Sequence, residues 1–172
     1  ILYTNLIENL RYGENPHQMG AFYSQNKKNK LEQIHGKTLS YNNYNDIFAA
    51  ITISKSLPKN TGTVIVKHGN PCGVSALKNN LDSYKSALES DPISAFGGIV
   101  SCNYKVTQKI AVMLNKIFLE VIVANGFDKK ALKILKSKKN LRLIDSSKIS
   151  FNQVWKFNSL DNFTLIQSED KK

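Results

Sequence analysis

Two side chains that can exchange protons, Lys67 and His68, follow directly after a run of β-branched residues at 63–66. The run is typical of a buried strand, and in α/β folds ligands bind beyond the ends of strands. Neighbouring strand residues point to opposite sides, but a Gly-Asn-Pro turn at 69–71 allows both side chains to enter one pocket. Pro71 and Gly73 then favour a bend into a helix whose free N–H groups would face that pocket. Spacing alone leaves open the alternative of a surface lysine beside a hydrogen-bonded histidine.

A second cluster of reactive side chains lies at residues 10–18, LRYGENPHQ. Its glycine and proline interrupt any helical or strand period, so we predict an irregular segment. The chain has 22 lysines and only two arginines, so Arg11 stands out. An arginine offers a rigid two-pronged donor for phosphate or carboxylate that lysine cannot imitate. The alternative is a structured loop that only caps neighbouring elements.

The charge of the chain is strongly positive, with a net value of +11 over 172 residues, a length that suits one domain. Such a balance can indicate a nucleic-acid partner, but the lysines are scattered and accompany nineteen asparagines. This combination indicates a bias of the coding sequence towards Lys and Asn rather than a basic binding face. The densest patch holds Lys129, Lys130, Lys133, Lys136, Lys138, Lys139 and Arg142. We interpret that patch as the solvated face of a helix and its exit, in preference to a nucleic-acid surface.

Cysteine and histidine usage predicts neither disulfides nor zinc. Cys72 and Cys102 form no CxxC pair, and the three histidines are dispersed. The chain has no GxGxxG or GxxxxGK[ST] fingerprint, and no secretory or transmembrane segment is visible. A reducing cytoplasm and no membrane are therefore expected. The sequence begins at Ile1 rather than Met, which we interpret as a piece of a longer chain or a processed product.

Helical and strand patterns alternate after residue 40, which is typical of an α/β layer fold. The predicted helices are 46–57, a segment around 81–88, one that begins after Thr107 and carries residues up to Phe118 inward, and 128–137. The predicted strands are 63–66, 95–100, 120–124 and 141–144, with a further possible strand at 163–167 before a polar tail.

Five segments occur in the order and with the spacing of a known family. They are LRYGENPHQ (10–18), GKTLSYNNYND (36–46), VIVKHGNPCGV (64–74), DPISAFGGIV (91–100) and LEVIVANG (119–126). Together they closely resemble the transformylase domain of the bifunctional purine-biosynthesis enzymes that also carry IMP cyclohydrolase. The substrate of that domain is 5-aminoimidazole-4-carboxamide ribonucleotide (AICAR).

This resemblance implies a three-layer α/β/α fold of the cytidine-deaminase-like type, which the full transformylase domain contains twice. Residues 1–172 would then be the N-terminal half of that domain, with a core at about 10–145 and a weakly patterned extension at 146–172. Zinc deaminases have Pro-Cys-x-x-Cys where this chain has Pro71-Cys72-Gly73-Val74, which is consistent with a metal-free use of the fold.

The resemblance also implies an enzyme that moves a formyl group from the co-substrate 10-formyltetrahydrofolate to the 5-amino group of AICAR. By resemblance, His68 shuttles the proton of the amine, Lys67 stabilises negative charge or protonates the leaving nitrogen, and His17 lies near this pair. The substrate-binding residues that the resemblance implies are Arg11 at the phosphate, Tyr12, Asn42, Asn43, Gly97, and Glu120 where some members have Asp.

The sequence departs from the family in two respects. The glycine-rich segment before a Leu-Val-Gln strand is DNFTLIQ (161–167) here, and the second transformylase half and the cyclohydrolase domain are missing. Active sites of the family form between the two subunits of a homodimer, so we expect negligible activity from the chain alone. The alternative from a different class is an inactive nucleotide-binding or assembly module. Nucleic-acid binding is disfavoured because no recognition motif accompanies the lysines.

Overall fold

The structure is a computed structural model that describes residues 5–24, 31–149 and 155–168. In chain order, its elements are β1 (Asn5–Leu10), β2 (Gly20–Ser24), β3 (Glu32–His35), α1 (Tyr41–Ser56), β4 (Gly62–Lys67), β5 (Asn70–Ala76), α2 (Asn80–Ser90), β6 (Ile99–Cys102), α3 (Gln108–Leu114), β7 (Val121–Ala124), α4 (Lys129–Leu135), β8 (Arg142–Asp145), β9 (Trp155–Leu160) and β10 (Phe163–Ser168).

A six-stranded mixed sheet organises these elements, with the strand order β3-β8-β7-β6-β4-β5. Strands β6, β7 and β8 run parallel, while β4 is antiparallel to both of its neighbours and β3 is antiparallel to β8. Helix α1 packs on one face of the sheet, and α2, α3 and α4 pack on the other. The predicted three-layer α/β/α class is therefore confirmed.

Strand β4 shows how the sheet is buried on both faces. Val64 and Val66 pack on the side of α1, whereas Ile65 between them packs on the side of α2, α3 and α4. All three are fully buried. Side chains alternate across a strand, so a sheet covered by helices on both faces needs an unbroken apolar run. The run at 63–66 meets that need, and its prediction as a buried strand is confirmed.

The chain after Lys67 differs from its prediction. It turns back as the edge strand β5, antiparallel to β4, and forms no helix at Pro71. An edge strand tolerates proline because its outer N–H groups need no partner. The two strands shift register between Ile65 and Val66, which leaves one extra residue in β5. Gly73 serves close packing instead of a helical bend, because a Cβ there would lie 1.8 Å from the carbonyl oxygen of Ala87 in α2.

Three other predicted boundaries differ. Helix α1 begins at Tyr41 rather than 46, because Ser40 and Asn43 form a capping box ahead of the first apolar residue. The segment at 95–98 is a turn, and only the residues from Ile99 form the strand. Helix α3 ends at Leu114, so Phe118 lies outside it and is exposed, contrary to the prediction.

The helix predicted from Asp128 is confirmed, and Oδ1 of Asp128 accepts a hydrogen bond from the N–H of Ala131 as an N-cap does. Thr107 occupies the N-cap position of α3 but makes no side-chain capping bond. The predicted strand at 163–167 is β10, which pairs with β9 in a separate hairpin. The predicted polar tail at its end lies outside the described residues.

Within the described residues, no helix combines the length and hydrophobicity that crossing a membrane requires. No group of three or more His, Cys, Asp or Glu side chains in that part of the chain is placed to hold a metal ion.

The contact between β5 and α2 leads to a test of stability. Replacing Gly73 by Ala forces a methyl group against backbone, so we expect the free energy of unfolding to fall by about 1–3 kcal/mol or more. Val74→Ala is the matched control on the same strand, since Val74 is 41% exposed and its replacement should cost less than about 1 kcal/mol. Urea denaturation followed by circular dichroism measures both. Equal losses in the two variants would contradict the close packing.

The two cysteines provide a second test. Burial raises the pKa of the Cys102 thiol to about 12, and Cys72 is only partly buried. The thiolate is the reactive form, so Cys102 of the folded protein should resist iodoacetamide at pH 8 and at pH 10, while unfolding exposes it. Mass spectrometry of the alkylated peptides, with Cys72→Ser as a control, measures this. Alkylation of folded Cys102 as fast as that of Cys72 would contradict its protection.

Candidate functional site

Most of the predicted site residues lie at or beside one end of the sheet. At this end β4 finishes with Lys67, and β6, β7 and β8 begin side by side. Backbone hydrogen bonds extend the sheet slightly beyond these strands, because the N–H of Glu120 donates to Gly98 O (3.0 Å) and the N–H of Arg142 donates to Glu120 O (3.1 Å). Glu120 is therefore fixed in the middle of this end, between segments that are far apart in the sequence.

The first two turns of α1 connect three separate parts of the site. Nδ2 of Asn42 donates to the carbonyl oxygen of Glu14 (3.3 Å), and Nδ2 of Asn43 donates to Oε2 of Glu120 (2.8 Å). One turn further along, Oδ1 of Asp46 accepts a hydrogen bond of 2.6 Å from the N–H of Gly69. One rigid helix end thus holds the loop after β1, the residue before β7 and the turn after β4.

Asn43 has both of its amide atoms committed. Its Oδ1 accepts from the N–H of Ser40 (3.1 Å), and its own N–H donates to Oγ of Ser40 (3.2 Å) in the capping box. The amide NH₂ is then directed towards Glu120, and Asn43 is buried. A buried amide is stable only when its polar atoms are paired, so this side chain has one favourable orientation.

Arg142 joins Glu120 to the chain after β3. Its NH1 atom lies 3.6 Å from Oε2 of Glu120, and its Nε donates to the carbonyl oxygen of Thr38 (3.0 Å). The side chain of Arg142 is only 15% exposed, against 40% for Glu120. The interpretation of Arg142 as part of a solvated basic helix face is therefore wrong, because it begins β8 and faces a carboxylate.

Lys67 contacts the turn that precedes β6. Its Nζ donates to the carbonyl oxygen of Phe96 (2.8 Å), directly before Gly97. The N–H of Gly97 donates to the carbonyl oxygen of Phe118 (2.8 Å), which ties this turn to the segment that leads into β7. Hydrogen bonds from Ser94 lower the pKa of the Asp91 carboxyl, and the ammonium of Lys67 lowers it further. The lysine thus lies beside Gly97, with a carboxylate in electrostatic range.

His68 occupies a strained turn. His68 and Gly69 are the two central residues of the β4–β5 hairpin, and both have positive φ values, 52° and 74°. Turns with this pattern suit the twist of a hairpin, but a positive φ at a non-glycine residue costs about 1–3 kcal/mol in backbone strain. A hydrogen bond to a charged group contributes about 1.5–3 kcal/mol, so the bond from Gly69 to Asp46 can offset the strain. The turn at 69–71 that we predicted is displaced by one residue, to 68–69.

The imidazole of His68 is exposed and makes no hydrogen bond among the described residues. Lys67 and His68 share the end of the sheet, but no hydrogen bond joins their side chains in that part of the chain. Their roles stay predictions.

Arg11 and Tyr12 line a groove of about 750 Å³ next to this end of the sheet. The guanidinium carbon of Arg11 lies 5.8 Å from the centre of the Tyr12 ring, within the range of a cation–π contact. The groove continues along 36–40 to Ser40, the N-cap of α1, and its wall includes Arg142. Both arginines of the chain therefore face one groove, together with Lys37 and the N-terminus of a 16-residue helix. The carboxylate of Glu8 also lines this groove and accepts a hydrogen bond from the Tyr44 hydroxyl (3.1 Å), so cationic side chains outnumber it. Such an arrangement suits an anion.

His17 lies in the segment 10–18, which is irregular as predicted except that Leu10 ends β1. The loop is closed by a hydrogen bond from the N–H of Gly13 to the carbonyl oxygen of Gln18 (2.8 Å) and by one from the N–H of Asn15 to Oε1 of Gln18 (2.7 Å). His17 itself is exposed, and no hydrogen bond among the described residues connects it with Lys67 or His68. Its location near that pair stays a prediction.

Three residues of the site are absent from the sequence prediction: Ser40, Asp46 and Arg142. Ser40 and Asp46 lie within the segment 36–46 that carries the resemblance, but their contacts depend on the fold. The sequence could have indicated Arg142, because it is the second of only two arginines and the rarity that singled out Arg11 applies to it equally.

A second groove, of about 320 Å³, lies at the opposite end of the sheet, where β6, β7 and β8 finish. Polar residues such as Asn103, Asn125 and Ser146 line it. None of the predicted site residues lies there.

Comparison with known proteins identifies the family. The model of the AICARFT/IMPCHase bienzyme family matches residues 2–172. A bifunctional purine biosynthesis protein PurH from Acetivibrio thermocellus is 47% identical over 149 residues, which cover 84% of this chain and 29% of the relative. The protein of the same name from Thermoanaerobacter sp. is 44% identical over 168 residues, which cover 95% of this chain and 33% of the relative. The chain thus spans about a third of the length of these relatives.

Among solved structures, RibD of Acinetobacter baumannii matches with a TM-score of 0.43 and 18% identity, over 58% of this chain and 34% of that one. A dCMP deaminase from the cyanophage S-TIM5 matches with a TM-score of 0.40 and 12% identity, over 57% of this chain and 94% of that one. The family assignment rests on the sequence match. Because the family model spans nearly all 172 residues, this chain belongs to the AICARFT/IMPCHase bienzyme family.

Proposed function

We propose that this chain is the N-terminal half of an AICAR transformylase domain and provides part of its active site. The complete enzyme would transfer a formyl group from 10-formyltetrahydrofolate to the 5-amino group of AICAR, a step in purine nucleotide biosynthesis. The folate is a co-substrate, and the proposal assigns no residue of this chain to it. A cytoplasmic location stays a prediction.

The observation that carries this proposal is the convergence of the five family-like segments on one end of the sheet. The first six residues of helix α1 belong to the segment 36–46. Asn42, Asp46 and Asn43 there bind the segments 10–18, 64–74 and 119–126 respectively. Lys67 adds the segment 91–100 through the carbonyl oxygen of Phe96. Segments that only formed a hydrophobic core would not need polar contacts with one another at a single end of the sheet. Segments that bind one ligand together would need such contacts.

The chemistry demands such an arrangement. The lone pair of the AICAR amine is delocalised into the imidazole and carboxamide, so the amine attacks only if its proton leaves as the new bond forms. In the proposal, His68 accepts that proton, since imidazole is a base suited to neutral pH. Lys67 stabilises the oxyanion of the tetrahedral intermediate or protonates the departing nitrogen. Asn42, Asn43, Gly97 and Glu120 bind AICAR.

The phosphate of AICAR is assigned to the groove beside Tyr12. Arg11 is free of ion pairs among the described residues and can form a bidentate contact there. Arg142 is engaged with Glu120 and Thr38, so Arg11 is the better candidate of the two arginines for the phosphate.

A comparison of the isolated chain with a complete enzyme tests the proposed activity. Losing one donor to an oxyanion typically costs about a hundredfold or more, and the proposal places further groups outside this chain. We therefore expect negligible formyl transfer from residues 1–172, and activity from a polypeptide that carries this sequence at the full length of its relatives. In that enzyme, His68→Ala should lower kcat far more than it raises KM for AICAR.

Exposed Glu89 on α2 provides the matched control, and Glu89→Ala should keep the parental rate. Rapid turnover by the isolated chain would contradict the shared site. A complete enzyme that binds AICAR but has no transformylase activity would favour the inactive nucleotide-binding module. Full activity of the His68→Ala enzyme would remove the proton-shuttle role.

A binding experiment tests the assignment of the phosphate. Lysine keeps the charge of Arg11 but lacks its planar fork, so Arg11→Lys should weaken the binding of AICAR to the complete enzyme by about 1–3 kcal/mol. The binding of the nucleoside without phosphate should not change. Isothermal titration calorimetry with both ligands measures the difference, and exposed Lys85→Arg is the reciprocal control. Equal losses for nucleotide and nucleoside would contradict the phosphate contact.

A further inference from the structure

We propose that Asp46 is a positioning residue for His68, which it holds in place through the backbone of Gly69. The inference rests on the proposed function, because the consequence for catalysis depends on His68 acting as the proton shuttle. Asp46 is not among the site residues that the sequence predicts, and the argument for it comes from the geometry of the β4–β5 turn.

The contact lies directly beside the histidine. Oδ1 of Asp46 accepts a hydrogen bond of 2.6 Å from the N–H of Gly69, the residue that follows His68. Both residues of the turn have positive φ values, and His68 is the one that carries a side chain into this conformation. A histidine in the left-handed region needs support from its surroundings, and the bond to Asp46 supplies it at the adjacent peptide.

Helix α1 gives this bond a rigid base. Ile47, next to Asp46 on the helix, is fully buried against the sheet, as is Ala50 one turn further on. The same end of the helix contacts Glu120 through Asn43. Since one rigid body holds both the turn and the residue before β7, α1 adds to the β4 pairing a second constraint on where His68 lies relative to the proposed AICAR site.

Asp46 has no comparable role within its own helix. It is the sixth residue of α1, beyond the first turn in which an acidic side chain caps free N–H groups. Aspartate also favours helix less than alanine does. If the Asp46 carboxylate served only the helix, replacing it by alanine would not lower the stability of the protein. Any loss that Asp46→Ala causes must therefore come from the contact with the turn.

The experiment has two readouts in the complete enzyme. The first is hydrogen exchange by mass spectrometry over peptides that contain Gly69. Asp46→Ala removes a charge-assisted hydrogen bond, so exchange at the turn should become about tenfold faster or more. Asp46→Asn keeps an acceptor oxygen without the charge and should give an intermediate rate. Glu89→Ala, which removes an exposed helical carboxylate from α2, should leave exchange at the turn unchanged.

The second readout is formyl-transfer kinetics. A misplaced proton shuttle lowers kcat, so Asp46→Ala should reduce kcat about tenfold or more while KM for AICAR changes less than about threefold. In the His68→Ala background the same change should have no further effect on kcat, because the two residues act as one unit. Asp46→Asn should recover part of kcat, and it keeps the test decisive if the alanine variant fails to fold.

The outcomes separate the two proposals. Unchanged exchange at Gly69 in both Asp46 variants would overturn the positioning role, whatever the activity. Faster exchange with unchanged kcat, in an enzyme that His68→Ala does inactivate, would also overturn it and leave the proposed function intact. Full activity of His68→Ala would overturn the shuttle assignment and the inference with it. Faster exchange, a loss in kcat and non-additivity with His68→Ala together support the proposal.

Discussion

The polar side chains on the first two turns of α1 hold the candidate site together. Asn42 binds the loop after β1, Asn43 binds the residue before β7, and Asp46 binds the turn after β4. The helix can do this because its capping box starts it at Tyr41, so that these three polar residues lie in its first two turns. Lys67 and Arg142 add side-chain contacts of their own at this end, to Phe96, Glu120 and Thr38.

A mixed sheet makes the arrangement possible. Strand β4 runs opposite to β6, so the end of β4 and the beginnings of β6, β7 and β8 meet at one place. In an all-parallel sheet, Lys67 would lie at the opposite end from Gly97, Glu120 and Arg142. The side chains of the proposed site thus depend on the antiparallel position of one strand.

Local chemistry explains which features the sequence predicts correctly. The β-branched run of β4 and the capping aspartate of α4 act through near neighbours, so they are visible in the sequence. The start of α1 is missed because its first turn has no apolar period. The hairpin after Lys67 is missed because proline and glycine suit an edge strand as well as the start of a helix.

Contacts within the site are harder to predict, because they join residues that are far apart in the sequence. Asn43 and Glu120 are 77 residues apart, and Arg142 and Thr38 are 104 apart, so neither pairing follows from spacing. The family resemblance predicts the residues Asn43 and Glu120 but not the bond between them. It does not predict Asp46 or Arg142, whose contacts become visible only when the sheet has been assembled.

The bond between Arg142 and Thr38 also bears on how the protein is made. It joins the last strand of the central sheet to the loop before α1, so it cannot form until the ribosome has released residue 142. Bringing ends together over so long a loop carries a large entropic cost and slows folding. During synthesis, the groove beside Arg11 therefore lacks one of its walls until the central sheet is nearly complete. Leu143 and Ile144 of the same strand belong to the hydrophobic core, so a nascent chain would close its ligand groove only at the step that also completes that core.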